Sequence, residues 1–204
     1  LLTVGSFTQN STGQNTIGDN ITADNGNINF DETVTLTSGT DNDTIIISAT
    51  LANATIDFND TTNSILNADN ENLTLSAGSD DTGNSGNITI DGAVTLESTV
   101  DGVANVGTGD LTVSRGETVT FAKTFDVENF TQTTGNTLTD FQGVFDVATA
   151  FDFTGTALTI DGNGTNDVGG AMEVSNTGLF NLVEASLLTV GSFTQNSTGQ
   201  NTIG

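Results

Sequence analysis

The segment Asp161-Gly162-Asn163-Gly164-Thr165-Asn166-Asp167 sets oxygen-bearing side chains at alternate positions, on Asp161, Asn163, Thr165 and Asp167. A loop that wraps a hard cation needs carboxylate, amide and hydroxyl oxygens at this spacing, and the first half of a Ca²⁺ loop is built this way. Met172 stands where the closing carboxylate of such a loop belongs. The competing reading is therefore an Asx-rich turn whose side chains bond their own backbone. Asp41 with Asp43, Asp57 with Asp60, and Asp80 with Asp81 are weaker versions of the same signal. Ca²⁺ is the one cofactor these residues suggest, with Asp161, Asn163, Thr165 and Asp167 as its candidate ligands.

Other chemistry is poorly supplied. The 204 residues include no His, Cys, Tyr or Trp, and Lys plus Arg total 2 against 26 Asp plus Glu, for a formal net charge of -24. Acid–base catalysis and transition-state stabilisation draw mostly on the missing types and on cations, so the chain is not expected to be an enzyme. Paired carboxylates alone can hydrolyse glycosides, which leaves a cleft between two carboxylates as the feature an enzyme would need. Arg115 and Lys123 cannot make a phosphate footprint, so nucleic acid is excluded as a partner. No apolar run approaches the ~18 residues that suggest a membrane span, and no membrane insertion is expected of this segment. Mutual repulsion among the carboxylates calls for bound cations or salt, or keeps neighbouring molecules apart.

The elements that must carry these residues follow from periodicity. Apolar residues recur as alternating pairs: Ile28 and Phe30, Val34 and Leu36, Ile45 and Ile47, Ile56 and Phe58, Leu73 and Leu75, Ile88 and Ile90, Val94 and Leu96. The series continues through Leu111 and Val113, Val119 and Phe121, Phe125 and Val127, Phe151 and Phe153, and Leu158 and Ile160. Alternation of period two is that of a strand with one buried face. Clusters such as Ser38 to Asp43 and Gly78 to Gly83 separate the pairs and read as turns. Residues 170–186 are the least strand-like stretch. The expected class is all-β.

Two scales of repetition bear on architecture. Leu1 to Gly18 reappears without change as Leu187 to Gly204, which defines a unit of 186 residues (1–186) followed by the start of the next (187–204). Within the unit, a phrase of turn, short strand, corner and second short strand recurs at residues 26–36, 86–96 and 109–121, and Phe7-Thr8-Gln9 is echoed by Phe130-Thr131-Gln132. Short strands joined by short bends suit the coils of a parallel β-helix, a β-solenoid in which each coil buries its apolar pairs by stacking on the next. The alternative is a tandem chain of Ig-like β-sandwiches, which predicts longer strands and a much longer advance per unit. Coils of about 20 to 30 residues at about 4.8 Å each would advance the unit by roughly 30 to 45 Å.

The run Gly86-Asn87-Ile88-Thr89-Ile90-Asp91-Gly92-Ala93-Val94-Thr95-Leu96, with Thr108 to Val113 and Val4 to Gln9, resembles very long bacterial surface proteins of the filamentous-haemagglutinin and autotransporter-adhesin type. The likeness is a style of repeat spread over most of the chain. It implies secretion, a β-helical rod, and a place outside the cell or on its surface in adhesion, matrix or envelope architecture. It brings no catalytic residues. The expectation is a structural repeat unit of a secreted fibre, sheath or adhesin shaft, built by end-to-end stacking of coils. Its partner is then itself, as successive repeats or identical subunits. A module that binds glycans or another cell surface is the alternative.

Overall fold

The computed structural model describes residues 1–10, 12–38, 43–62, 65–67, 71–79, 84–96, 109–183, 186–196 and 198–203. These residues form strands joined by turns and bends, with no helix among them, and the strands pair in parallel. Three ladders run the length of the molecule, so each turn of the chain has three sides. The first side carries Leu2–Val4, Ile21–Ala23, Thr44–Ala49 and Asn72–Ala77, then Leu111 to Val113 and segments ending at Gln132, Phe153, Val174 and Gln195. The second begins with Phe7–Gln9, Ile28–Phe30, Ile56–Phe58 and Ile88–Ile90 and ends with Gln200–Ile203. The third passes from Asn15–Ile17 through Val34–Leu36, Ile65–Asn67 and Val94–Thr95 to Leu188 and Val190. The architecture is a parallel β-solenoid.

Why the chain takes this form is visible in the ladders. Phe30, Phe58, Ile90, Phe121, Phe141 and Ile160 stand in register on successive coils, and each is at most 1% exposed. Every apolar pair named from the sequence is buried. Full burial of such a side chain contributes roughly 1.5–3 kcal/mol, and although side chains from the three sides of one coil meet, as Phe121 meets Phe125, burial is completed only by the coils above and below. Ladder hydrogen bonds also run between coils, so each coil depends on its neighbours for both its core and its backbone pairing.

A phenylalanine cluster fills the middle of the rod. Phe121 and Phe141 stack at 4.7 Å and 13°, and Phe125, Phe130, Phe145 and Phe151 pack around Phe141 with ring centroids 5.2 to 5.7 Å from it. One polar pair crosses this core, where the buried Thr139 hydroxyl donates to Gln132 Oε1 at 2.8 Å.

Coil length varies while register does not. Successive residues on the first side are separated by 19 residues from Leu2 to Ile21, 38 from Leu75 to Val113, and 21 from Gln132 to Phe153. At one corner the Gly169 and Gly170 backbone passes so close to the coil beneath that an added Cβ would sit 2.2 Å from the carbonyl oxygens of Ala148 and Thr149. The least strand-like stretch of sequence is thus largely strand, in Gly164–Asn176 and Leu179–Leu182. Its glycines answer a contact between coils, and Met172, Val174 and Phe180 continue the buried columns.

The phrases at 26–36, 86–96 and 109–121 are not all structural equivalents. The first two occupy the second and third sides, whereas Leu111 to Val113 and Val119 to Phe121 lie on the first and second. A short strand with two inward apolar residues fits any side, and its place is set by the number of residues that precede it.

Candidate functional site

The feature most unlike plain scaffolding is a line of acidic groups along the corner that joins the third side to the first. Ser38, Asp43 and Glu71 meet there: the Ser38 hydroxyl lies 3.0 Å from Asp43 Oδ2 and 2.8 Å from Glu71 Oε1, and the Ser38 amide donates to Glu71 Oε1 at 2.7 Å. Glu71 is fully buried, and its amide donates to Asn67 Oδ1 at 2.8 Å. Asn67 in turn donates to the Glu71 and Leu96 carbonyls. The Asn67 side chain thus ties this corner to the coil of Leu96, and the Glu71 carboxylate ties it to the coil of Ser38.

Farther along the same corner, Asp110 accepts from Asn129 Nδ2 at 2.8 Å and its amide donates to Asn72 Oδ1 at 3.0 Å. Glu128, only 3% exposed, accepts from the Thr149 hydroxyl of the next coil. Burial raises the Asp110 carboxyl above its ordinary value, and the charge of Glu128 adds to the rise, while the bond from Asn129 opposes it.

A second acidic array lies on the third side. Asp126, Asp146 and Asp167 are register partners on three successive coils, and Asp152 and Glu173 are partners on the first side. Register partners in a sheet stand about 4.8 Å apart, so these carboxylates form a column of like charge. At that spacing two unit charges repel by nearly 1 kcal/mol even in water. The column is where bound cations or salt would act first.

The four candidate Ca²⁺ ligands are divided between elements. Asp161 follows the second-side strand Leu158–Ile160, with its amide donating to Phe141 O at 2.8 Å, and Asn163 lies in the exposed turn. Thr165 and Asp167 belong to the extended strand Gly164–Asn176. Between them, Asn166 points inward and is fully buried, accepting from the Phe145 amide at 3.0 Å and donating to Gly162 O at 3.2 Å. Asn166 therefore ties the turn at Gly162 to the coil of Phe145, and Asp167 is the register partner of Asp146. No group of three or more Asp or Glu among the described residues is arranged to hold a metal. Asp57 lies beside Asn29 and Thr89 on the second side, and Asp60 accepts from the Thr33 hydroxyl at 2.8 Å. Asp41, Asp80 and Asp81 lie outside the described residues.

The aspartate column was open to a sequence reading that compared Phe125-Asp126-Val127, Phe145-Asp146-Val147 and Asn166-Asp167-Val168, whose aspartates recur at intervals close to one coil. Glu71 and Asp110 give no such signal, because they occupy corners of unequal length.

A third surface is neutral. Thr133, Thr154, Ser175 and Asn196 follow one another coil by coil, and with Thr134, Thr156, Thr177 and Thr198 they border an open groove of about 530 Å³. None of the residues that line it is aromatic. Among the described residues, no helix is long and apolar enough to cross a membrane. Comparison with protein-family models, with curated proteins and with solved structures finds no match for this chain.

Proposed function

We propose that the chain is a structural repeat unit of a secreted fibre, sheath or adhesin shaft, made by end-to-end stacking of solenoid coils outside the cell or on its surface. The observation that supports this most is the continuity of the three ladders from Leu2 to Ile203, with the identical end segments both used as coil strands. A segment that pairs as coil strands at both ends lets one unit follow another along the same ladders. The resemblance of its strand phrases to long bacterial adhesins favours an exported rod, and its net charge of -24 would hold neighbouring rods apart unless cations bridge them. The role is architectural and not catalytic.

The test is immunogold microscopy of intact source cells with antibody raised against the purified chain. Gold along filaments or on the outer surface is expected. Labelling that appears only after the cells are opened would overturn the proposal.

The groove bordered by Thr133, Thr154, Ser175 and Asn196 supports a second reading, a glycan- or surface-binding module. Its hydroxyls and amides match the hydrogen-bonding groups of sugars, and glycan-array binding lost in a Thr154→Val, Ser175→Ala variant would favour it.

A further inference from the structure

The two copies of the eighteen-residue segment do not occupy the same sides of the rod. In the first copy, Leu2–Val4 lies on the first side, Phe7–Gln9 on the second and Asn15–Ile17 on the third. In the second, Leu188 and Val190 pair with Asn166 and Val168 on the third side. Phe193 to Gln195 then pairs with Met172 to Val174 on the first, and Asn201 to Ile203 with Phe180 to Leu182 on the second. The order is kept and every strand is set back by one side. Counted along the ladders, Leu2 opens the first coil and Leu188 stands on the third side of the eighth, so 186 residues make seven turns and two further sides.

We infer that successive 186-residue units join into one rod in which each unit is turned two-thirds of a turn against the one before, so that every feature of the unit visits all three sides in rotation. The inference rests on the solenoid array proposed above. What it adds is the phase of that array and the surface that sets it.

That surface is shown in complementary halves. At the first coil, Leu2, Phe7 and Ile17 border an open apolar end with Ile21 and Phe30. At the last, the identical side chains Leu188, Phe193 and Ile203 border another, with Phe180 and Leu182. Ile17, with Val34–Leu36 stacked over its strand, is 6% exposed, whereas the same residue as Ile203, with no such coil among the described residues, is 72% exposed. The last coil therefore fits what already covers the first, a segment with the sequence of Ile21 to Leu36. The first coil fits what already lies beneath the last, a segment with the sequence of Gly164 to Leu182. The occupant of each end is a second copy of the unit, and only the two-thirds turn presents those segments in register.

At about 4.8 Å per coil the advance per unit is about 37 Å, and the original side returns after three units, about 110 Å on. One consequence is electrostatic. The corner bearing Asp43, Glu71, Asp110 and Glu128 would be continued by the same corner of the next unit if units made whole turns. The extra sides move it elsewhere, and like corners recur in line only at ~110 Å, many times the ~8 Å Debye length of physiological salt.

The experiment uses a polypeptide of four units, residues 1–186 four times followed by 187–204. The natural sequence contains no cysteine, so Asp146→Cys in every unit places a single thiol per unit on the third side for maleimide–gold, and rods are imaged by cryo-electron microscopy. Expected are labels at axial steps of about 37 Å that change side at each step, the fourth returning to the side of the first. Labels all on one side, or separate bodies with a much longer advance, would overturn the inference. Asp152→Cys on the first side repeats the test should the first label disturb the column. An unlabelled reconstruction that resolves coils should count 23 between equivalent positions three units apart, against a multiple of three for whole-turn units. The result is independent of where the protein resides, so failure of the surface labelling and failure of the phase are separate outcomes.

Discussion

Removal of one ring from the phenylalanine cluster measures how far coils depend on each other. Phe141 is fully buried, with five other rings within 5.7 Å of it. Phe→Ala in a core costs about 3–5 kcal/mol, and edge-to-face pairs contribute about 0.5–1.5 kcal/mol each beyond burial. Ladders above and below hold the walls of the resulting cavity apart, so Phe141→Ala is expected at the upper end, about 5 kcal/mol. Phe141→Leu, which keeps most of the volume, should cost about 1–2 kcal/mol and remain folded. Phe193, 42% exposed, is recorded against one ring, Phe180 at 5.6 Å, and Phe193→Ala should cost about 1 kcal/mol. The chain has no Trp or Tyr, so urea unfolding is followed by far-ultraviolet circular dichroism, with unchanged m-values as the condition for comparing free energies. Equal losses for Phe141→Ala and Phe193→Ala, or a loss below about 2 kcal/mol at Phe141, would refute the reasoning.

Other perturbations follow from the corners and the charges. Gly170→Val should lower the melting temperature sharply, because its Cβ meets Thr149 O, whereas Gly5→Ala, whose nearest recorded neighbour is Asn25 Cβ at 3.9 Å, should be nearly neutral in the same thermal scan. Since burial raises the Asp110 carboxyl, the native chain binds that proton more tightly than the unfolded one and the ionised group weakens the fold above its native pKa. Asp110→Asn should therefore be more stable than the natural chain at pH 7, with the gain vanishing as pH falls to the ordinary carboxyl value of 3.8. Asp146→Asn should raise the melting temperature at low salt, and the advantage should close in 1 M NaCl, where the Debye length is about 3 Å. If the turn at Asp161 and Asp167 holds Ca²⁺, millimolar Ca²⁺ should stabilise the chain more than NaCl of equal ionic strength, and Asp161→Asn should remove that excess.

The strands were legible because each buried pair, such as Ile88 and Ile90, alternates with residues that solvent or a neighbouring side chain can satisfy. Register and side were not. Phe-Thr-Gln occupies the second side as residues 7–9 and the first as 193–195, with identical letters, since nothing in a three-residue strand distinguishes one wall of a three-sided coil from another. The aspartate column was legible in principle from the Asp-Val pairs at 126, 146 and 167. The corner carboxylates were not, because Glu71 and Asp110 are brought to one edge by coils of unequal length. Asn166 shows the opposite limit: within a run of oxygens spaced as cation ligands, the residue between the candidates is the one whose side chain the fold buries, and it ties a turn to the coil of Phe145.

The ladders give the rod an uncommon response to load. Hydrogen bonds between coils lie along its axis, so tension on the two ends opens them one pair at a time, as in a zip, and does not shear them together. Each coil that peels away frees its own length of chain: at most about 3.5 Å per residue, or roughly 70 Å for the 21 residues between Gln132 and Phe153 and about 130 Å for the 38 between Leu75 and Val113. Tension would thus be met by a series of small yields of unequal length, the longest released where the chain puts most residues between one rung and the next.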